Sequence, residues 1–239
     1  MRRSSSQPTV VLVHGAFADA SGFAGVISEL QSAHVPVRAA AVPLRGLAFD
    51  ADALSAYVAG LDGPVVLVGH SYGGAVITQA AAALDNVVGL VYLAAFGLDL
   101  DESVASVQEP FAAPLLAING RATPYDARGG AVSGPDLYID HETFRETFCA
   151  DVPAGLAAVM AVTQRPVAAA AIAEKCTSAG WKTRPTSYLV STQDQAISPD
   201  AERFMAARMG ATREDIDASH VAFISKPAET AAFLLSALQ

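Results

Sequence analysis

The sequence predicts an α/β protein with a mostly parallel sheet of about six strands, helices on both faces and a helical cap. Three observations predict this class. Short apolar runs with many β-branched residues recur along the chain, which is typical of parallel strands buried on both faces. Helical patterns follow most of these runs, so that strand and helix alternate. One long stretch, residues 97–180, interrupts this alternation between two strands.

The first part of the chain is a regular series of strands and helices. Ser21 and Asp50 are predicted N-caps, because their side-chain oxygens can accept hydrogen bonds from the first turn of a helix. Strands are predicted at Thr9–His14, Val35–Val42, Val65–Val68 and Val87–Ala94, and helices at Ser21–Ala33, Asp50–Leu61 and Gly74–Leu84. A helix between successive strands makes the sheet parallel.

The same alternation resumes after residue 180. Strands are predicted at Thr186–Val190 and Glu214–Ile216, and helices at Pro199–Met209 and Pro227–Leu238. We therefore expect one core domain, formed by residues 1–96 and 181–239, and one insertion, formed by residues 97–180.

The insertion contains no convincing strand. It opens with loop signals such as Asn119-Gly120 and Gly134-Pro135, and helical patterns follow at His141–Ala150, Pro153–Thr163 and Pro166–Lys175. Excursions this long between two core strands are usually functional. We therefore expect a helical cap, or lid; a decorative insertion is the alternative.

Composition excludes several classes of protein. Of 239 residues, 52% are apolar and 16% are charged, which predicts a packed core and argues against disorder. The net charge of −9 and the lack of basic clusters argue against a nucleic-acid or membrane partner. Two cysteines, Cys149 and Cys176, do not make a disulfide framework and are expected to be buried thiols. The chain lacks the pattern of a signal peptide or membrane span, so we expect a cytoplasmic protein.

The stretch VVLVGHSYGGAVITQAA, residues 65–81, carries the strongest motif. A buried strand leads into Gly-His-Ser-Tyr-Gly, and a helix follows directly. In parallel sheets, reactive positions lie beyond the carboxyl ends of the strands. A sharp turn there exposes the hydroxyl of Ser71, and Gly69 and Gly73 are needed because strand and helix pass too close for a Cβ. Ser71 is therefore the predicted nucleophile; a tight turn with an incidental serine is the alternative.

A nucleophilic serine needs a base, and the base needs an orienting acid. Among the five histidines, His220 follows the last strand and comes last in the chain, as the order serine, acid, histidine requires. Asp194 directly follows the strand at Thr186–Val190 and is the predicted acid. Asp99 and Asp101, after the fourth strand, are the alternatives.

The loop after the first strand, in VHGAFADASGF, should supply part of an oxyanion hole. Such a hole needs two backbone N–H groups, which we assign to Tyr72 and Ala16, with Phe17 as the next candidate. Candidate substrate-binding residues are His14 and Phe17 in this region and Phe148 and Met160 in the cap. For the two cap residues, core packing is the alternative.

Four stretches resemble the α/β-hydrolase superfamily, and together they extend over nearly the whole chain: VVLVHGAFADASGF, VVLVGHSYGGAVI, YLVSTQDQAISPDAERFMAARM and DASHVAFISKP. Within it, the chain resembles the small esterases that include methylesterases and hydroxynitrile lyases. The resemblance implies the α/β-hydrolase fold, with Ser71 as nucleophile, Asp194 as acid, His220 as base, and Ala16 and Tyr72 as oxyanion donors.

Two positions depart from the lyases of this group. The lyases have a lysine directly after the catalytic histidine, where this chain has Val221, and a threonine where it has Gly15. Both departures favour hydrolysis over cyanohydrin cleavage.

The expected function is that of a serine carboxylesterase acting on small hydrophobic or aromatic esters through an acyl-enzyme. The motifs require no cofactor, and no cluster has the spacing of zinc ligands. The expected partner is a small-molecule ester, not nucleic acid or membrane, and the expected state is a monomer or homodimer. A hydroxynitrile lyase-like or other non-hydrolytic enzyme, and a non-catalytic binding protein of the same fold, are the alternatives.

Overall fold

The centre of the molecule is a six-stranded parallel sheet in the order β2-β1-β3-β4-β8-β9. The computed structural model describes residues 7–125 and 134–239. Within these residues the strands are β1 Thr9–Val13, β2 Val37–Ala40, β3 Val65–Ser71, β4 Val87–Ala95, β5 Gly120–Tyr125, β6 Gly134–Ile139, β7 Val167–Ala168, β8 Thr186–Ser191 and β9 Thr212–Ile216. The prediction of about six parallel strands is confirmed.

Helices cover both faces of this sheet. Those of the described residues are α1 Ala24–Ser32, α2 Leu47–Ala59, α3 Tyr72–Ala80, α4 Val104–Gln108, α5 Leu116–Asn119, α6 Phe144–Phe148, α7 Ala154–Thr163, α8 Ala169–Ala173, α9 Pro199–Arg208, α10 Ala222–Ser225 and α11 Pro227–Ala237. Helix α1 packs against α11, and α2 packs against α3, which follows β3 directly.

The strand order reverses between β1 and β3. From β1 the chain moves outward to β2 and then returns to β3 on the other side of β1. Val13 of β1 lies level with Gly69 of β3, so the loops that follow the two strands begin side by side. A crevice at this switch point is where open parallel sheets place their reactive groups.

Two predicted helix starts need correction. The helix expected from Ser21 begins as a 3-10 turn at Ala20–Phe23, capped by Asp19, whose carboxylate accepts a hydrogen bond from the N–H of Ser21. Asp50 is not an N-cap, because it lies inside α2 and is buried. Its carboxylate is used for contacts between elements.

The prediction that residues 97–180 contain no strand is wrong. Strands β5, β6 and β7 form a small antiparallel sheet, in which Pro124 faces Pro135. Every residue of β5 is exposed, so the strand has no alternating apolar pattern for a sequence to reveal. The helix predicted at Pro166–Lys175 begins as strand β7, and only Ala169–Ala173 is helical.

Residues 97–180 are tied to the loops at the carboxyl edge of the large sheet. The N–H of Phe17 donates to the carbonyl of Arg165 at 3.0 Å, and the N–H of Ala168 donates to the carbonyl of Leu44 at 2.9 Å. These contacts bring the segment over the end of the sheet at which β1 and β3 finish.

The structure also bears on the predictions about cysteines and membrane spans. Cys149 and Cys176 are buried free thiols, as expected. Of the helices in the described part of the chain, none combines the length and the apolar character that crossing a bilayer requires. Cytoplasmic location and oligomeric state stay predictions.

Candidate active site

The turn between β3 and α3 has the geometry expected of a nucleophile elbow. Ser71 ends the strand with φ 54° and ψ −124°, a conformation that costs a residue with a side chain on the order of 1–3 kcal/mol. A Cβ on Gly69 would lie 2.7 Å from backbone atoms of α3, and one on Gly73 would lie 2.3 Å from the carbonyl oxygen of Val13. The predicted reason for both glycines, close approach of backbones, is confirmed.

The loop after β1 meets the elbow beside Ser71. A Cβ on Gly15 would lie 2.7 Å from the Cβ of Ser71 and 3.1 Å from the nitrogen of Tyr72, so the loop after β1 touches the elbow here. The N–H of Phe17 is engaged with Arg165, which leaves Ala16 as the donor candidate from this loop. Ala16 and Tyr72 both line the cavity in front of Ser71.

The predicted acid and base form a buried hydrogen bond. The Nδ1 of His220 lies 2.5 Å from Oδ2 of Asp194, and both side chains are inaccessible to solvent. The other oxygen of Asp194 accepts from the N–H groups of Ala196 and Ile197, at 2.6 and 3.0 Å. Three donors therefore fix this carboxylate, which in turn holds the proton of the imidazole on Nδ1.

The second ring nitrogen of His220, Nε2, stands in contrast to Nδ1. Within residues 7–125 and 134–239 it has no hydrogen-bond partner, and no hydrogen bond joins it to Ser71. Catalytic hydrogen bonds of this kind often tighten only when substrate is bound. The alternative acids lie elsewhere: Asp99 pairs with Lys182 at 2.5 Å, and Asp101 is exposed.

The histidine of the elbow supports His220. His70 is fully buried, and its Nε2 lies 3.0 Å from the carbonyl oxygen of His220. Burial, reinforced by the neighbouring His220, lowers the pKa of His70 well below its ordinary value, so the ring is neutral and Nε2–H donates. Phe148 packs against the ring of His220 with centroids 5.0 Å apart, and Phe223 packs against His70 at 4.6 Å.

His14 has no free group to offer a substrate. Its Nε2 accepts from the N–H of Val42 at 2.9 Å, and its Nδ1 donates to the carbonyl of Gly15 at the same distance. Burial lowers its pKa, which keeps the ring neutral for this double role. His14 does not line the cavity; its hydrogen bonds join the loop after β1 to Val42, and the predicted substrate contact is not found.

The other three substrate candidates are distributed over different sites. Phe17 lines the cavity in front of Ser71. Phe148 is buried and packs on His220, outside that lining. Met160 lines a separate cleft of about 70 Å³, on the other side of Phe17. Only Phe17 of the four therefore faces the cavity directly.

A cavity of about 420 Å³ opens in front of Ser71. Its wall is mainly apolar and comes largely from residues 97–180. The large apolar residues of this wall are Phe17, Phe96, Phe111, Leu116, Leu137 and Ile172, and polar ones include Gln108 and Tyr138. Apart from Phe17, sequence reasoning missed these wall residues because they lie in loops and short elements without a periodic pattern.

Two buried carboxyl groups next to the site also escaped sequence reasoning. Asp50 accepts from the hydroxyl of Tyr72 at 2.8 Å and from the N–H of Arg45 at 3.2 Å, and burial raises its pKa. Glu202 is fully buried on α9. Its spacing of three residues from buried Met205 is the one signal in the sequence that it shares the inner face of the helix.

The segment formed by residues 97–180 also contacts the loop that carries His220. Asp151, between α6 and α7, accepts hydrogen bonds from the N–H of Ser219, at 3.1 Å, and from its hydroxyl. As for metal ligands, no group of three or more His, Cys, Asp or Glu side chains converges within the described part of the chain.

Comparisons with known proteins agree with this architecture. A family model described as the alpha/beta hydrolase family matches residues 10–233. The chain is 24% identical over 247 residues to the alpha/beta hydrolase nvfD of Aspergillus novofumigatus, covering 92% of each chain. It is 26% identical over 154 residues to Methylesterase 2 of Arabidopsis thaliana, covering 60% of this chain and 57% of the relative.

A solved structure gives the same result for the fold. The crystal structure of a methylesterase protein from Arabidopsis superposes with a TM-score of 0.80 at 19% identity, covering 97% of this chain and 98% of that one. The predicted superfamily is confirmed by the family match over residues 10–233, and the chain belongs to the alpha/beta hydrolase family.

Proposed function

We propose that this hydrolase is a carboxylesterase that uses Ser71, His220 and Asp194 as a catalytic triad. The observation that carries the proposal is the combination of a strained serine at the end of β3 with a buried imidazole–carboxylate pair at the same edge of the sheet. Similarity to methylesterases in sequence and fold supports an ester as the substrate.

The mechanism follows from the hydrogen bonds of His220. Because Asp194 holds a proton on Nδ1, Nε2 has its lone pair free to remove the proton of Ser71 as the serine oxygen attacks the ester carbonyl. The oxyanion that forms receives hydrogen bonds from the N–H groups of Ala16 and Tyr72. Asp194 stabilises the imidazolium that exists at this stage.

After the attack, His220 changes from a base to an acid. His220 gives its new proton to the leaving alcohol, and the tetrahedral intermediate collapses to an acyl-enzyme on Ser71. His220 then takes a proton from water, which attacks the acyl group. The acid product leaves and the serine regains its proton.

We infer that residues 97–180 are a cap that selects the substrate. They contribute most of the apolar wall around Ser71, and their hydrogen bonds to the loops after β1 and β2 hold that wall in place. A volume of about 420 Å³ with few polar groups suits a small, neutral ester with an aromatic or short acyl group.

A panel of p-nitrophenyl esters with increasing acyl length tests this function. We expect hydrolysis to be fastest for acetate, butyrate and phenylacetate and to fall for long acyl chains. Ser71→Ala should lose about 10³-fold or more in kcat, whereas Ser32→Ala, an exposed serine on α1, should retain wild-type activity. Mandelonitrile is included to detect lyase activity.

Two results would contradict the proposal. One is comparable ester hydrolysis by folded Ser71→Ala protein, which would remove Ser71 as the nucleophile. The other is cleavage of mandelonitrile that exceeds hydrolysis of every ester, which would favour the lyase alternative.

A further inference from the structure

Behind the Asp194–His220 pair lies a second carboxyl group, that of Glu202. The side chain belongs to α9, and its exposure is 0%. Glutamate is almost never fully buried unless its charge is paired. Its Oε2 accepts a hydrogen bond from the N–H of Ser191 at 3.2 Å. Oε1 has no donor among the described residues.

Ser191 places Glu202 next to Asp194, because its N–H donates to Oε2 of Glu202 at 3.2 Å and its carbonyl accepts from the N–H of Asp194, also at 3.2 Å. The carboxyl group of Asp194 lies within hydrogen-bonding reach of that of Glu202. Two carboxyl groups within hydrogen-bonding reach cannot both be ionised without strong repulsion, and two ionised groups have no proton to share. A proton on one of them removes the repulsion and supplies the missing donor. The contact therefore requires a carboxylic acid paired with a carboxylate.

Hydrogen-bond counting assigns this proton to Glu202. Asp194 accepts from His220 and from the N–H groups of Ala196 and Ile197, so both of its oxygens already have donors. Glu202 accepts from Ser191 alone. The carboxyl group with fewer donors keeps the proton.

The charged and titratable neighbours of Glu202 favour the same assignment. Burial, and next the charge of Asp194, raise the pKa of Glu202 well above its ordinary value. The phenol of Tyr188 on β8 faces it, and burial raises the pKa of that phenol too, so it carries no charge. The cation of Arg203, the next residue on α9, pairs with Asp215 of β9 and with Asp200, both at 3.2 Å.

We propose that Glu202, as a carboxylic acid, donates a hydrogen bond to Asp194 and is a positioning residue for the Asp194–His220 pair. Its donor holds the carboxylate in the orientation that presents Oδ2 to the imidazole. Glu202 touches neither substrate nor Ser71, so it acts through Asp194. The catalytic part of this proposal rests on the proposed function, whereas the protonation state does not.

The pH dependence of stability tests the protonation state without any substrate. An acid whose pKa is raised by folding contributes stability that is fully present below its unfolded-state pKa and is lost as pH rises towards the folded pKa. We therefore expect the unfolding equilibrium constant of the wild type, relative to Glu202→Gln, to grow up to about tenfold per pH unit above about pH 4.5. Urea unfolding at a series of pH values measures the ratio.

Glu229→Gln is the matched control, because Glu229 is an exposed glutamate in the first turn of another helix, α11. The unfolding equilibrium constant of the wild type relative to Glu229→Gln should stay constant over the same pH range. A constant ratio for Glu202→Gln as well would mean that Glu202 is ionised, and this would overturn the proposal.

Two variants test the positioning role. The amide of Glu202→Gln can still donate to Asp194 and accept from Ser191, whereas Glu202→Leu can do neither. We expect Glu202→Leu to lose on the order of tenfold or more in kcat with little change in KM, because the substrate pocket is untouched. Glu202→Gln should recover most of that loss.

Proton NMR of the Nδ1–H of His220 gives a readout that needs no activity. This proton should give a strongly downfield signal in the wild type and in Glu202→Gln, and it should shift upfield or broaden in Glu202→Leu. Equal signals and equal kcat in both variants would refute the positioning role. If Glu202→Leu does not fold, the pH dependence of the unfolding equilibrium constant of the wild type relative to Glu202→Gln still tests the protonation state of Glu202. Absence of ester hydrolysis in the wild type would refute the proposed function and leave these two readouts intact.

Discussion

Replacing Gly15 with alanine is expected to disable ester hydrolysis while the protein stays folded. The added Cβ would lie 2.7 Å from the Cβ of Ser71, 2.8 Å from the carbonyl oxygen of His70 and 3.1 Å from the nitrogen of Tyr72. Nonbonded carbon atoms are in favourable contact at about 3.5–4.0 Å, so the loop or the elbow must move by roughly 0.5–1 Å. None of these three atoms can rotate away, since two belong to the backbone and the third, the Cβ of Ser71, is bonded directly to it.

The size of the effect follows from which groups move. The displaced loop carries Ala16, whose N–H is one of the two proposed oxyanion donors. Loss of one such donor costs about 10²–10³ in kcat, and a misplacement of 1 Å can cost about 10². We therefore expect kcat to fall about 10²-fold with a smaller change in KM. Overpacking should lower the free energy of unfolding by about 1–3 kcal/mol, which a typical domain survives.

The assay measures kcat and KM for p-nitrophenyl acetate together with the melting temperature. Gly155→Ala is the matched control, because a Cβ on this exposed glycine of α7 meets no atom within 4 Å. It should retain wild-type kcat and gain up to about 1 kcal/mol of stability. A folded Gly15→Ala enzyme with kcat within about threefold of wild type would refute the assigned oxyanion geometry.

Three further predictions concern the acid, the cap contact and the pocket. Asp194→Asn should lower kcat by about 10⁴-fold through the wrong histidine tautomer, while Asp99→Asn should cost little; reversed results would move the acid to the loop after β4. Burial raises the pKa of Asp151, but the hydrogen bonds that its carboxylate accepts from Ser219 lower the pKa and hold it below its ordinary value. Asp151→Asn should therefore remove a stabilisation that is present above the unfolded-state pKa and lost as pH falls through the folded pKa, as acid unfolding curves would show. Met160→Ala should lower stability by about 2 kcal/mol or less without changing the acyl-length profile of kcat/KM.

The sequence was sufficient for those parts of the site that depend on local geometry. A G-x-S-x-G pattern after a buried strand requires a turn of one shape, and both Gly69 and Gly73 occupy places where a Cβ would collide with backbone. The order of Ser71, Asp194 and His220 along the chain follows from parallel strands, whose carboxyl ends share one edge. Local rules and topology therefore predict that these three residues lie at one edge of the sheet, and their catalytic roles stay a proposal.

Prediction failed where contacts between distant segments decide the outcome. Strand β5 is exposed on both faces and is defined only by its pairing with β6, so no periodic pattern in the sequence predicts it. His14 has the residue type of a substrate contact, but both of its nitrogens are taken by backbone groups, one of them at Val42. Glu202 has the appearance of a surface residue until the fold brings it against Asp194.

These long-range contacts also join residues 97–180 to His220 and to the loop after β1. Phe148 packs on the imidazole of His220, and Asp151 accepts from Ser219, the residue before it. The carbonyl of Arg165 accepts from the N–H of Phe17, next to Ala16, the proposed oxyanion donor. Because this segment lines the pocket and also contacts His220 and the loop after β1, we expect a large change in it to displace His220 as well as the pocket wall. Substrate range is therefore best altered at wall positions without such contacts, such as Leu137 and Ile172.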